Sequence, residues 1–208
     1  MFNLSELEND ALVEVFNIGV GQAASSMSGI VNETVRMSVP SISFMNRADA
    51  GRMLAGGPDL AQERICGVSQ NYDGAFRTEA ILMFPEDKSL EIVRLMVGEA
   101  VPLKELTEME QEAMCEIGNI ILNSCVGTLA NIFQRELQGS LPRYHLGTSD
   151  EILTATGSQD DTVLMLHIDF VVERQQIHGY VAFILGMSAL HDLKDQINQY
   201  IARAMGQA

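Results

Sequence analysis

The sequence predicts an α/β protein of two pseudo-symmetric repeats, with long motif helices packed on a largely antiparallel sheet. Three observations carry that prediction. Segments with apolar residues at helical spacing alternate with segments rich in β-branched residues and period-two alternation. The extended segments come mostly in neighbouring pairs, which suits antiparallel hairpins better than a doubly wound parallel sheet. The order of elements then recurs: EVFNI at residues 14–18 reappears as EIGNI at 116–120, offset by 102 residues. A fixed offset of this kind marks an internal duplication.

Each element has its own local signal. Ser5 and Glu8 form a capping-box pair, after which Leu12, Phe16, Ala23, Met27 and Ile30 recur at helical spacing through Val31. From Thr34 the pattern becomes TVRMSVPSISF, a strand interrupted by Pro40. Residues 49–57 read as a short helix closed by Gly-Gly-Pro, residues 64–71 and 76–84 as a hairpin turning near Asp73 and Gly74, and residues 87–98 as a helix. The second half follows the same order. Residues 107–134 are helical, 140–146 extended, a short segment follows Ser149, 162–172 pairs with 177–185, and 188–205 forms the last helix. The join near residues 101–104 has no linker composition, so one fused domain over 1–208 is expected, with repeat 1 at 1–102 and repeat 2 at 103–208.

Hydrophobic residues make up 47% of the 208 and charged residues 20%, the balance of a packed globular chain, which excludes disorder, collagen and coiled coil. Acidic side chains outnumber basic ones 28 to 13, a formal charge of -15. Nucleic acid and anionic membrane surfaces would repel such a chain, so neither is an expected partner. The first residues carry Glu6, Glu8, Asp10 and Glu14 without Lys or Arg, the opposite of an export signal. The longest apolar run, near residues 180–190, falls short of the roughly 18 needed to cross a bilayer, and no transmembrane helix is expected. Cys66, Cys115 and Cys125 fit neither a disulfide framework nor a zinc site, which makes a reducing cytoplasm the expected location.

The chemistry lies on the two long helices. Asp10, Glu14 and Asn17 stand at i, i+4 and i+7, within about 60° of one another on one helix face. Gly21, Ala24, Ser25 and Ser28 continue that stripe with side chains small enough for another protein's backbone to approach. Glu112, Glu116 and Asn119 repeat the spacing, followed by Asn123, Gly127 and Ala130. Pro40 lies 23 residues after Asn17, and Pro142 lies 23 after Asn119, so each half reads acidic-x3-Glu-x2-Asn-x22-Pro. At residue frequencies near 1 in 20, a given Glu, Asn and Pro spacing arises at about one start in 10⁴. One ancestral motif copied twice is a single coincidence, yet its retention while most neighbours diverged points to function.

This pattern resembles that of the CheC class among the CheC, CheX and FliY phosphatases of bacterial chemotaxis, whose motif is Asp/Ser-x3-Glu-x2-Asn-x22-Pro. The resemblance covers almost the whole chain, since CheC proteins consist of two such repeats. It implies hydrolysis of the aspartyl phosphate of a CheY-like receiver, with Glu14, Asn17, Glu116 and Asn119 as catalytic residues. Each Asn would hold the attacking water, a task of orientation for which a neutral amide is suited. Each Glu would dock the receiver's lysine. No cofactor is implied on this chain, because Mg²⁺ is expected to be held by the receiver partner. Asp10 and Glu112 are candidates for partner contact, and Pro40 and Pro142 for shaping the strand after each helix. Glu112 departs from the family pattern, which has Asp or Ser at that position.

The alternative is a non-catalytic adaptor that binds a receiver or CheD, a known family partner. FliY-like proteins carry an extra C-terminal switch domain, whereas this chain ends at Ala208 soon after its last helix, which favours CheC. Two intact motifs likewise favour CheC over CheX, a dimer of single-site subunits. Other patterns read as structural. Gly19, Gly21 and Ala24 imitate a dinucleotide fingerprint but lack the preceding strand, so these glycines are expected to serve close helix packing. His167 and Asp169 share one face of a strand. With His145, His178 and His191 scattered along the sequence, the pair reads as a solvated face, and no metal site is expected. The 12 methionines are expected to fill core gaps.

Overall fold

A computed structural model describes residues 2–56, 64–74, 76–97, 103–154, 161–172 and 175–206. The Gly-Gly-Pro closure after Gly56 and part of the join at 101–104 lie outside the described residues. The first helix, α1 (Glu6–Val31), opens on the predicted capping box. The Ser5 backbone N–H donates to the Glu8 carboxylate at 2.7 Å, and the Glu8 N–H donates to Ser5 Oγ at 3.3 Å. Leu12, Phe16, Ala23 and Met27 are fully buried. Ile30, read as part of the same stripe, lies in the last turn before the left-handed cap at Asn32 and is 45% exposed. The order continues through β1 (Val35–Asn46), α2 (Arg47–Gly56), β2 (Ile65–Gly74), β3 (Thr78–Pro85) and α3 (Glu86–Val97). Then come α4 (Leu103–Phe133), β4 (Leu137–Gly139), β5 (Arg143–Gly147), α5 (Ser149–Thr154), β6 (Thr162–Val172), β7 (Gln175–Leu185) and α6 (Met187–Ala204).

The strands form one sheet in the order β1-β6-β7-β3-β2, with β4 and β5 both paired to β2. All six pairings are antiparallel. The hairpins β2-β3 and β6-β7 meet at the centre through β3 and β7, and each is flanked by an outer strand from the other half of the chain. One face of the sheet packs on α1, α3, α4 and α6 around Phe16, Phe84, Phe170 and Phe183. The opposite face carries a smaller cluster under α2 and α5, including Leu54, Ile81, Leu153 and Met165. Arg47 ties the two short helices to the sheet by donating to the Leu153 carbonyl and pairing with Asp161 at 3.3 Å.

Of the segment read as extended over 140–146, only the part from Arg143 is strand, in β5 (Arg143–Gly147), while β4 (Leu137–Gly139) precedes it. Pro142 offers no N–H to a ladder, and Ser140 breaks the pairing by donating its N–H to Asn71 O while its hydroxyl accepts from the Asn71 N–H. The glycine reading holds at Gly19, where a Cβ would come within 2.9 Å of the Cys125 Cα, so α1 and α4 approach backbone to backbone, and fails at exposed Gly21, where a Cβ would meet nothing within 4 Å. At Gly74, with φ +144°, only glycine is free of strain. Its Cβ would strike the Glu136 carbonyl.

One expectation needs revision. Within α4, Met109–Phe133 is long and apolar enough by length and composition to cross a bilayer, with a mean hydropathy of 1.3. A search for uninterrupted apolar runs passes over it because Glu112, Glu116 and Asn119 break the run. Half of its apolar window is buried inside the protein, where Ile117, Ile121, Leu122 and Cys125 form the floor of the main core. All three cysteines are free, and burial pushes Cys66 and Cys125 up to about 12.

Candidate functional site

Both motifs lie on the solvent side of the long helices. Asp10 and Glu14 on α1 are exposed, and so are Glu112 and Glu116 on α4, while Asn17 and Asn119 are half-buried at the seam between helix and strand. Among the described residues none of these four carboxylates forms an ion pair. Each face also carries an exposed apolar side chain one turn before the first acid: Leu7, 54% exposed, and Met109, 43% exposed. These two are related by the same 102-residue offset, a signal that sequence reading missed because exposure of an apolar helix residue is not legible from its letter.

The two asparagines have different surroundings. Asn17 Nδ2 donates to Val13 O at 3.0 Å and to Val39 O at 3.3 Å, and its Oδ1 accepts from the Val39 N–H at 2.9 Å. The amide therefore replaces a missing strand partner for Val39, where the pairing of β1 with β6 shifts register between Ser38 and Ser41 around exposed Pro40. Both donor hydrogens of Asn17 are used.

Asn119 is held from its oxygen side alone. Its Oδ1 accepts from Gln70 Nε2 at 3.2 Å and from Asn123 Nδ2 at 2.8 Å, while its own Nδ2 donates to no group among the described residues. Gln70 in turn donates to Ser140 O at 2.8 Å, which links the helix to the segment preceding Pro142. The Tyr72 hydroxyl lies 3.0 Å from Gln70 Oε1 and 2.9 Å from Asn123 Oδ1 and donates to either in turn. Burial pushes the Tyr72 hydroxyl well above its ordinary range, so it remains a donor. Gln70 and Tyr72 are almost wholly buried, and sequence reading missed both, because a Gln two residues before a Tyr on a strand has no distinguishing pattern.

Strand register explains why the halves differ. The residue after each motif proline faces the neighbouring hairpin, Ser41 opposite His167 and Arg143 opposite Ser69. Counting onward, Ile168 and Phe170 stand in the first half where Gln70 and Tyr72 stand in the second, and Gly21 stands where Asn123 does. Apolar replacements leave Asn17 no side-chain partners, so it turns to the backbone. Neither site offers an activated nucleophile: Cys115, beside Glu116, has its thiol raised by burial. What the second site does offer is an unspent amide donor one turn from an exposed carboxylate, a set suited to orienting a polar ligand or water.

Comparisons with known proteins agree with this architecture. The model of the CheC-like family matches residues 7–44, which span α1 and most of β1. The flagellar motor switch phosphatase FliY of Bacillus subtilis is 26% identical over 167 residues, covering 78% of this chain and 42% of that protein. The CheY-P phosphatase CheC of the same organism is 28% identical over 153 residues, 70% of each chain. The chain thus spans less than half the length of the first relative. In three dimensions, the crystal structure of Thermotoga maritima FliY superposes with a TM-score of 0.74 at 18% identity, over 96% of this chain and 100% of that one. In motif, fold and sequence this chain is thus similar to the CheC, CheX and FliY chemotaxis phosphatases.

Proposed function

We propose that this protein hydrolyses the aspartyl phosphate of a CheY-like receiver, using the faces of α1 and α4 as two docking sites in one fused, duplicated domain of the cytoplasm. The observation that carries this reading is the repeated pairing of an exposed Glu with a half-buried Asn on a face that lacks basic residues. In the reaction the water oxygen bonds to phosphorus in line with the breaking P–O bond, which releases phosphate and restores the receiver's aspartate. Glu14 or Glu116 accepts the receiver's lysine in a charge-assisted bond, and Asn17 or Asn119 positions the water. Asp10, Glu112, Leu7 and Met109 contact the receiver outside the reacting centre. Mg²⁺ stays with the receiver, so the chain needs no metal of its own for this step.

The test is decay of a phosphorylated receiver with Mg²⁺ present, with wild type, Asn17→Ala, Asn119→Ala and the double variant. The double variant is expected to leave only the receiver's own decay rate, and unchanged acceleration would remove the site assignment. A second reading applies to the first site: its amide is fully engaged with Val39, which favours receiver binding there over turnover. Tight binding of a phosphorylated receiver to Asn119→Ala without faster phosphate loss would support an adaptor role for α1. CheD, the family's other partner, would be sought by direct binding to the purified chain.

A further inference from the structure

On the sheet's second face, opposite the one that packs on the motif helices, β6 and β7 bring together three metal-ligating side chains. His167 and Asp169 share a face by the period of the strand, and His178 lies directly opposite Asp169 in the β6-β7 register. The sequence alone left His178 scattered; the hairpin register supplies the third group. One ligand atom from each lies within 4.8 Å of the other two. His178 Nδ1 is 2.8 Å from Asp169 Oδ1, and His167 Nε2 is 4.0 Å from the same oxygen.

We propose that His167, Asp169 and His178 form a binding site for a divalent transition metal of zinc-like character. Two imidazoles and one carboxylate are the donor set of borderline metals, and a hard cation such as Mg²⁺ would instead select oxygen ligands. Bonds of about 2.0–2.1 Å to a tetrahedral ion place ligand atoms roughly 3.3 Å apart. The separations from Asp169 Oδ1, 2.8 Å and 4.0 Å, bracket that value, and the ligand atoms of the two histidines lie within 4.8 Å of each other, so side-chain shifts of up to about 1.5 Å close the site. A second observation is independent of the spacing. His167 Nε2 is buried and has no hydrogen-bond partner among the described residues, a costly state for a polar atom that a metal ion would relieve. The ring is also held in place, stacked on Tyr180 at 5.2 Å and beside His178 at 5.5 Å. A cavity of about 180 Å³ lined by Ser41, Ser43, Met53, Met165, His167 and Tyr180 adjoins it and leaves room for water as a further ligand. Asp169 Oδ1 faces both imidazoles, at 2.8 Å from His178 and 4.0 Å from His167, so an ion seated between the rings would take it as its carboxylate ligand.

The experiment is calorimetric titration of the EDTA-treated, dialysed full chain with Zn²⁺, repeated with Co²⁺ while its visible d–d absorption reports coordination geometry. One ion per chain is expected, with a thermal midpoint raised by about 5–10 °C at a hundredfold excess over Kd. His167→Ala and His178→Ala are each expected to weaken binding at least about a hundredfold, and His191→Ala, on the remote α6, to leave it unchanged. Circular dichroism of the metal-free variants verifies that they fold. If the wild type binds Zn²⁺ no more tightly than folded His167→Ala and His178→Ala, or if His191→Ala abolishes binding, the site does not exist. The outcome is independent of the phosphatase reading, because neither histidine touches a motif helix.

Discussion

The two motif sites carry the same Glu and Asn at the same spacing, yet one asparagine is part of the scaffold and the other is poised over solvent. Asn17 spends its amide on Val13 and Val39. Asn119 is braced by Gln70 and Asn123 through its oxygen and keeps its donors unspent. The difference comes from residues outside the motif: Ile168, Phe170 and Gly21 around the first site, Gln70, Tyr72 and Asn123 around the second. A buried polar network holds the second amide from behind, and networks of this kind fix orientation when every member is satisfied. A motif can therefore be copied faithfully while its chemistry is set by the strand beside it.

The largest expected effect tests which site turns over. Loss of one positioned donor costs on the order of 10²–10³ in rate where it serves the transition state. Asn119→Ala is expected to remove most of the receiver phosphatase activity and Asn17→Ala only a minor part. Equal losses in single-turnover decay assays would overturn the proposed division of labour.

Stability should show the opposite ranking. Asn17→Ala strands the Val39 N–H and carbonyl beside buried Val39, at a cost of about 1–3 kcal/mol. Asn119→Ala leaves Gln70 Nε2 still donating to Ser140 O and the exposed Asn123 amide open to water, and should cost less than about 1 kcal/mol. Urea denaturation of the two variants reads the difference directly, and a more damaging Asn119→Ala would mean that its amide is structural as well.

A smaller change should follow from giving the second site the first site's surroundings. Gln70→Ile with Tyr72→Phe copies Ile168 and Phe170 into β2 and removes the brace behind Asn119. Activity is expected to fall about tenfold, the equivalent of roughly 1.4 kcal/mol of lost positioning, with the fall in kcat and not in KM. A change confined to KM would assign the network to receiver binding.

Most of the fold is legible in the sequence, because capping, periodicity and turn chemistry are local. The capping box at Ser5, the hairpin turning after Gly74 and the strand at Thr162–Val172 each follow from a few neighbouring residues. The 102-residue offset does not carry the strand order, in which each hairpin is flanked by a strand of the other half. What the letters do not carry is register. Whether Gln70 or Ile168 stands behind a motif asparagine depends on which residue of a hairpin faces the residue after Pro142 or Pro40, and that is settled by pairing between distant segments. The same holds for His178, eleven residues from His167 in the chain and across one hairpin rung from Asp169 in space.

The smallest effect separates the two halves by pH. His145, on β5 beside the second site, shares a hydrogen bond of 2.9 Å between its Nε2 and Ser69 Oγ. Its counterpart after Pro40 is Ser43, which does not titrate. Burial, and then the neighbouring Arg143 charge, hold the His145 pKa below the ordinary histidine range. The unfolded chain therefore binds a proton at this residue more readily than the folded one. Stability from neutral His145 is fully present above the unfolded value of about 6.5 and is lost as pH falls from there toward the lower folded value. His145→Gln keeps a polar partner for Ser69 and removes the titration, so its thermal midpoint should fall less than that of wild type between about pH 7 and pH 5.5. Parallel falls in the two proteins would show that acid acts on the molecule through other groups, and would take β5 out of the contrast between the halves.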